Sequence, residues 1–358
     1  MREDFVTRLQ VQLRDAADRE VRGGPVGHAF RGTRWRLGSP AFAGAAAALA
    51  LLIAVGAGAL LLRDDTAPAG PHVVATLELT GNPERLVPAF GAVWIADPVA
   101  GEIVRVDPDG RAVTARIPVG AAQRISLEPV GRQLWAIGAH PATVLRIDPA
   151  TNQVAGTITL RDLGGRDFQA LDVLANDRAV WAVSAEGALR LDPRTGAALQ
   201  RVAVPQGGNE ARWITLSQDT LWVYGTDGVV RRFDAATGAP EGRLRPQLGG
   251  TQQFGDLSGD LIGTNGDGRV ARMDGRTGAM GWQRVVGERI HAGDYGAGLL
   301  WYFATRAGEP ARLVALDPRD GAVVSSAPMP IFGATGLAVV GHEVWVDDAG
   351  GKTLVVSR

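Results

Sequence analysis

Four arginines recur at one kind of place. Arg85, Arg124, Arg212 and Arg289 each stand at the start of a short apolar run, directly before Leu86, Ile125, Trp213 and Ile290. Guanidinium groups gathered in this way suit a carboxylate, phosphate or sulfated ligand, because each offers a planar fork of donors and keeps its charge at any working pH. Glu84, Glu210 and Glu288 lie within two positions of three of them and offer a competing role as local counter-charges. His291 follows Arg289 by two and is the one histidine on such a run, which adds it to the candidate ligand-binding set.

Other chemistry is weakly represented. The five histidines, His28, His72, His140, His291 and His342, are scattered, and His342-Glu343 has no second His four residues after the first, so no metal-ligand spacing appears. There is no Cys, which removes thiol nucleophiles, disulfides and Cys-ligated zinc. Neither a Gly-x-Ser-x-Gly elbow nor a phosphate loop occurs. Thr264-Asn265-Gly266-Asp267-Gly268 has the oxygen-rich look of a calcium loop without its downstream Glu, and reads as a hairpin turn. No catalytic residue, cofactor or metal ligand is therefore expected.

The elements that position these residues repeat. Aligning on an apolar-Trp pair gives Val93-Trp94, Leu134-Trp135, Val180-Trp181, Leu221-Trp222, Leu261-Ile262, Leu300-Trp301 and Val344-Trp345, at steps of 41, 46, 41, 40, 39 and 44. About ten residues after each of the first six comes an apolar strand ending in Asp, as in Ile103 to Asp107 and Leu189 to Asp192. A tight turn such as Asp192-Pro193-Arg194-Thr195-Gly196 follows. Asp bonds the backbone ahead of it, Pro presets φ and Gly takes the left-handed position. An alternating strand and an inner strand complete each unit. Four-stranded units with a period near 40 are the blades of a β-propeller, since one blade cannot bury both faces alone. The seventh unit ends at Arg358 without its last strand, whereas residues 72–80 supply an extra one. The expected fold is all-β: a seven-bladed β-propeller over 72–358, closed by strand 72–80.

These units resemble the bacterial propellers related to virginiamycin B lyase and the YVTN-repeat proteins. The segments Phe233 to Gly238 and Met273 to Trp282 also resemble repeats of quinoprotein dehydrogenases and of a periplasmic outer-membrane assembly lipoprotein. The lyase resemblance implies metal-assisted elimination by His and Glu on loops around the channel. Three positions past the Trp site this chain has Asp97, Gly138, Ser184, Gly225, Asn265, Ala304 and Asp348, with no Glu-x-His. The quinoprotein resemblance implies a girdle of tryptophans, of which only Trp282 is present.

Ahead of the repeats lies a different kind of chain. Residues 41–62 run 22 positions without a charge, enough at about 1.5 Å per residue to span a bilayer as a transmembrane helix. Arg31, Arg34 and Arg36 precede it, and Arg63 is followed by two Asp, so the N-terminus is expected in the cytoplasm and the propeller outside. Ala67-Pro68-Ala69 keeps a cleaved signal peptide as the rival reading. Residues 1–40 hold an amphipathic helix over about 3–22, with Phe5, Leu9, Leu13 and Ala17 on one stripe, suited to the membrane surface or to a cytoplasmic partner. Residues 63–71 form a linker.

The whole chain of 358 residues has net charge −1, and beyond residue 40 it carries 29 basic against 33 acidic residues, which gives no footprint for nucleic acid. The resulting expectation is a single-pass cell-membrane protein whose extracytoplasmic propeller binds a small anionic ligand or a protein, as a sensor or scaffold. The alternative is a metal-dependent lyase-like or quinoprotein-like enzyme.

Overall fold

The computed structural model describes residues 70–358 apart from 80, 121, 123, 139–142, 160–171, 177, 185–186 and 204–210. The amphipathic segment 3–22, the apolar run 41–62 and most of the 63–71 linker lie outside the described residues. Among the described residues no helix is long and apolar enough to cross a membrane.

Seven antiparallel sheets of four strands each make the ring. The inner strands of blades one to seven are Arg85–Ala89, Ile125–Val130, Asp172–Ala175, Ala211–Leu216, Thr251–Leu257, Arg289–Gly296 and Gly336–Val340. Beside them run the second strands Ala92–Asp97, Gln133–Gly138, Val180–Ser184, Thr220–Gly225, Asp260–Asn265, Leu299–Thr305 and Glu343–Asp347. Blade seven takes its outer strand from the start of the propeller: His72–Glu78 pairs antiparallel with Lys352–Ser357, from His72 opposite Ser357 to Glu78 opposite Lys352. Every sheet but this one is continuous in sequence.

The core consists of seven apolar clusters, one in each gap between neighbouring blades. Each contains the aromatic or Ile of the repeated pair. Trp94 packs on Leu127 and Leu134 of the next blade, Trp181 on Leu221 and Val223, and Trp345 on Val93 and Ile95 across the closing seam. The six tryptophans are at most 3% exposed, so they are mortar between blades.

The turns obey the chemistry of their residues. Asp192 Oδ1 accepts the amides of Arg194 and Thr195 at 2.8 and 2.9 Å, and Gly196 N closes the loop on Asp192 O at 2.8 Å. These backbone bonds hold the Asp192 carboxyl below the usual range. Gly196 sits at φ 75°, and Asn152 takes the same left-handed place in blade two at φ 57°. The Thr264–Gly268 segment is likewise a turn, with Asn265 Oδ1 accepting the amides of Asp267 and Arg269.

Candidate functional site

Inner strands begin, and second strands end, at the same end of the ring. This end therefore carries the connections into each inner strand and the hairpins between second and third strands. It is called the mouth below.

The ladder fixes a common position there. The residue nine before each repeat aromatic is Arg85, Ser126, Asp172, Trp213, Gln253, Ala292 and Gly336. In every blade it stands opposite the residue two past that aromatic, as Arg85 opposite Ala96, Ser126 opposite Ile137 and Asp172 opposite Val183. In blades one to three these side chains meet. Arg85 Nη2 lies 2.9 Å from Asp172 Oδ2 and 3.2 Å from Ser126 Oγ, and Ser126 Oγ donates to Asp172 Oδ1. Arg85 and Ser126 are buried. The ion pair thus crosses the inner strand of blade two and ties together blades that do not adjoin.

The four candidate arginines are distributed differently from one another. Arg85 is in this network, its charge met by Asp172. Arg124 stands half-buried just ahead of the inner strand of blade two. Arg289 is exposed and opposite Thr305, four past Trp301. Arg212 falls at a ladder irregularity between Ala211 and Trp213, and its side chain lies outside what is described. They precede their repeat aromatics by 9, 11, 10 and 12 residues in order of blade, which places each at a different height. Of the neighbouring glutamates, Glu84 accepts from Asn82 Nδ2 and Glu288 from the amide of Ala307. Glu210 lies outside the described residues.

His291 is buried at the ladder irregularity of blade six. Its Nε2 is 2.8 Å from Thr305 Oγ1, and its ring meets Phe303 edge-on at 5.9 Å. Burial, helped by the charge of Arg289, pushes its pKa down to about 4. The imidazole is neutral at ordinary pH and serves as a packed hydrogen-bonding group. Three residues on, Asp294 accepts the amide of Val339 in blade seven at 2.9 Å, as Glu128 accepts that of Ala175 in blade three at 3.2 Å. Both carboxylates rivet neighbouring inner strands.

Beyond this network, the mouth exposes apolar surface. Phe332, in the connection into blade seven, is 92% exposed, and Val99, in the second hairpin of blade one, is 65% exposed. A cleft of about 230 Å³ beside blade six is lined by Val285, Thr305, Arg306 and Arg312 among others, small for an organic ligand. Among the described residues no three His, Cys, Asp or Glu side chains gather within reach of a common metal ion. Sequence reasoning missed Ser126, Asp172 and Phe332. Counting nine back from each aromatic would have found the first two, whereas Phe332 sits in a loop that no repeat defines.

Fold and site together define a seven-bladed β-propeller with a braced mouth. No protein-family profile matches the chain, and no curated protein matches it by sequence. Among solved structures it is similar to the WD40 β-propeller domain of Doa1, with a TM-score of 0.62 at 12% identity over 81% of this chain and 98% of that one. It is also similar to the computationally designed Ika8 protein, with a TM-score of 0.57 at 14% identity over 78% and 98%. Identities this low speak for the fold alone. The finer affinity to virginiamycin B lyase and YVTN-repeat propellers rests on the repeat motifs alone.

Proposed function

We propose that this chain is a membrane-anchored binding protein whose propeller stands outside the cytoplasm and offers its mouth to a protein partner. The observation that carries the reading is Phe332, a large aromatic held 92% exposed on the same end of the ring as Val99. Leaving such a ring in water costs free energy that a docked partner recovers. The propeller fold itself is a frequent scaffold for protein binding. The Arg85–Ser126–Asp172 network ties blades one to three together at this end.

The path of the chain supports the orientation. His72 pairs with Ser357 and Glu78 with Lys352, and Lys352 follows the blade-seven hairpin at the mouth. The chain thus joins the ring at the end away from the mouth. A span at 41–62 would tether that far end and turn the mouth outward.

The test is a photo-crosslinking residue placed at Phe332 in the intact, membrane-bound chain, with Val154 on the outer strand of blade two as the control. Expected is a discrete adduct from position 332 and, with the probe moved to a neighbouring mouth position, an adduct to the same partner that Phe332→Ala and Val99→Asp weaken. Equal labelling from both positions, or adducts indifferent to these substitutions, would refute the reading.

A further inference from the structure

The gap between blades seven and one, where the ring closes, differs from the other six. On the second strand of blade one Ile95 points into this gap, and on that of blade seven Trp345 does so, within one apolar cluster. Side chains alternate along a strand, so two residues further toward the mouth Asp97 and Asp347 enter the same gap from opposite sides. They are 1% and 0% exposed. At the position of Asp347 the other blades carry Ala96, Ile137, Val183, Tyr224, Thr264 and Phe303. The blade architecture does not require a carboxylate there.

Each carboxylate has one oxygen in use and one idle. Asp97 Oδ1 accepts the amides of Asn82 at 3.1 Å and Ala100 at 2.9 Å, and Asp347 Oδ1 accepts from Thr353 Oγ1 at 2.5 Å. Asp97 Oδ2 and Asp347 Oδ2 are buried without a hydrogen-bond partner, and so is Asn82 Oδ1. Three acceptor oxygens are thus buried with no donor to satisfy them, a costly arrangement unless a positive group completes it. The backbone makes room for this cluster. Gly81 at φ +94° passes so close that a Cβ would fall 2.1 Å from Asp97 Oδ2, and Gly351 at φ +81° has the carbonyl of Leu79 2.6 Å from where its Cβ would be.

We propose that this seam binds a hard divalent cation, with Asp97, Asp347 and Asn82 as side-chain ligands, and that the ion clamps blade one to blade seven. Carboxylate and amide oxygens select calcium-like ions over zinc or copper, which prefer imidazole and thiolate. The ion would sit beside the junction in which Leu79 N bonds Gly351 O at 2.6 Å and Thr335 N bonds Asp347 O at 2.9 Å, so binding and ring closure reinforce each other.

Terbium, a luminescent stand-in for calcium, tests this on the full chain, because Trp345 lies two residues from Asp347 on the same face and can sensitise it. Expected are terbium emission on tryptophan excitation, displacement by calcium, and a melting temperature that calcium raises by several degrees and a chelator lowers. Asp347→Asn and Asp97→Asn should each abolish the emission, whereas Asp267→Asn in the calcium-like turn should leave it intact. Should one seam variant fail to fold, the other carries the comparison, since either carboxamide keeps an oxygen for the existing bonds. Absence of emission and of any calcium-dependent shift in the parent would overturn the proposal. So would emission surviving both seam substitutions, or an Asp347→Asn chain that melts higher than a parent indifferent to calcium.

Discussion

Arg85 shows how a single residue acquires its role from its neighbours. Alone it is one of four cations at the starts of apolar runs; in the ring it is buried against Ser126 and paired at 2.9 Å with Asp172, 87 positions away. Removing one partner of such a pair strands the other's charge. Asp172→Ala is therefore expected to lower unfolding free energy by about 3 kcal/mol, at the lower end for a buried pair because Asp172 keeps some exposure. The double variant Arg85→Leu, Asp172→Ala should recover part of it. Denaturant titration of the four chains checks the coupling, and strictly additive losses would contradict the brace.

His291 gives a pH signature at the same scale. Its folded pKa is about 4 against 6.5 for the unfolded residue. Between those values the unfolded chain binds the extra proton, so this contribution is complete above about pH 6.5 and drains away as pH falls toward 4. Asp294, raised to about 7 by burial, pulls the opposite way, so the parent's total slope is blunted. The difference between His291→Gln and the parent isolates the histidine. Melting curves from pH 4 to 7 should show the variant gaining on the parent as the solution is acidified, and parallel curves would rule this out.

Among elements, the latch strand His72–Glu78 matters most. It covers the edge of Lys352–Ser357 and contributes Ala75 and Leu77 to the seam cluster. Deleting 72–79 bares that edge and opens the cluster, so the chain should melt markedly lower and aggregate on warming. A deletion variant that melts like the parent by scanning calorimetry would show that the strand is dispensable. Elements also staple one another through side chains. Trp282, the one tryptophan matching the quinoprotein-like repeat, donates to Pro318 O at 3.0 Å in the turn of blade six and lies where a Cβ on Gly321 would fall, 2.5 Å away. Gly321 is at φ +69°, so backbone geometry and packing both demand glycine there.

For the molecule as a whole, seven equivalent gaps are filled by seven similar apolar clusters, and the differences between gaps carry the individuality of the protein. Blades one to three are cross-braced by the ion pair, inner strands are riveted by Glu128 and Asp294, and at the position of Asp347 no other blade carries a carboxylate. The mouth is set by these departures from the repeat, and its exposed Phe332 belongs to none of the repeated units.

The sequence by itself determined the repeat number and the blade, because an aromatic at a fixed place, alternating apolar strands and Asp-to-Gly turns are local signals that recur about every 40 residues. It also marked His291 and the arginines as candidates, since residue type is visible without a fold. Only the tertiary structure decided which of them meet. Arg85, Ser126 and Asp172 are distant in the chain and reach one another because ring closure brings equal ladder heights together, and the burial that keeps His291 neutral and leaves Asp347 Oδ2 without a partner arises only when neighbouring sheets exclude water.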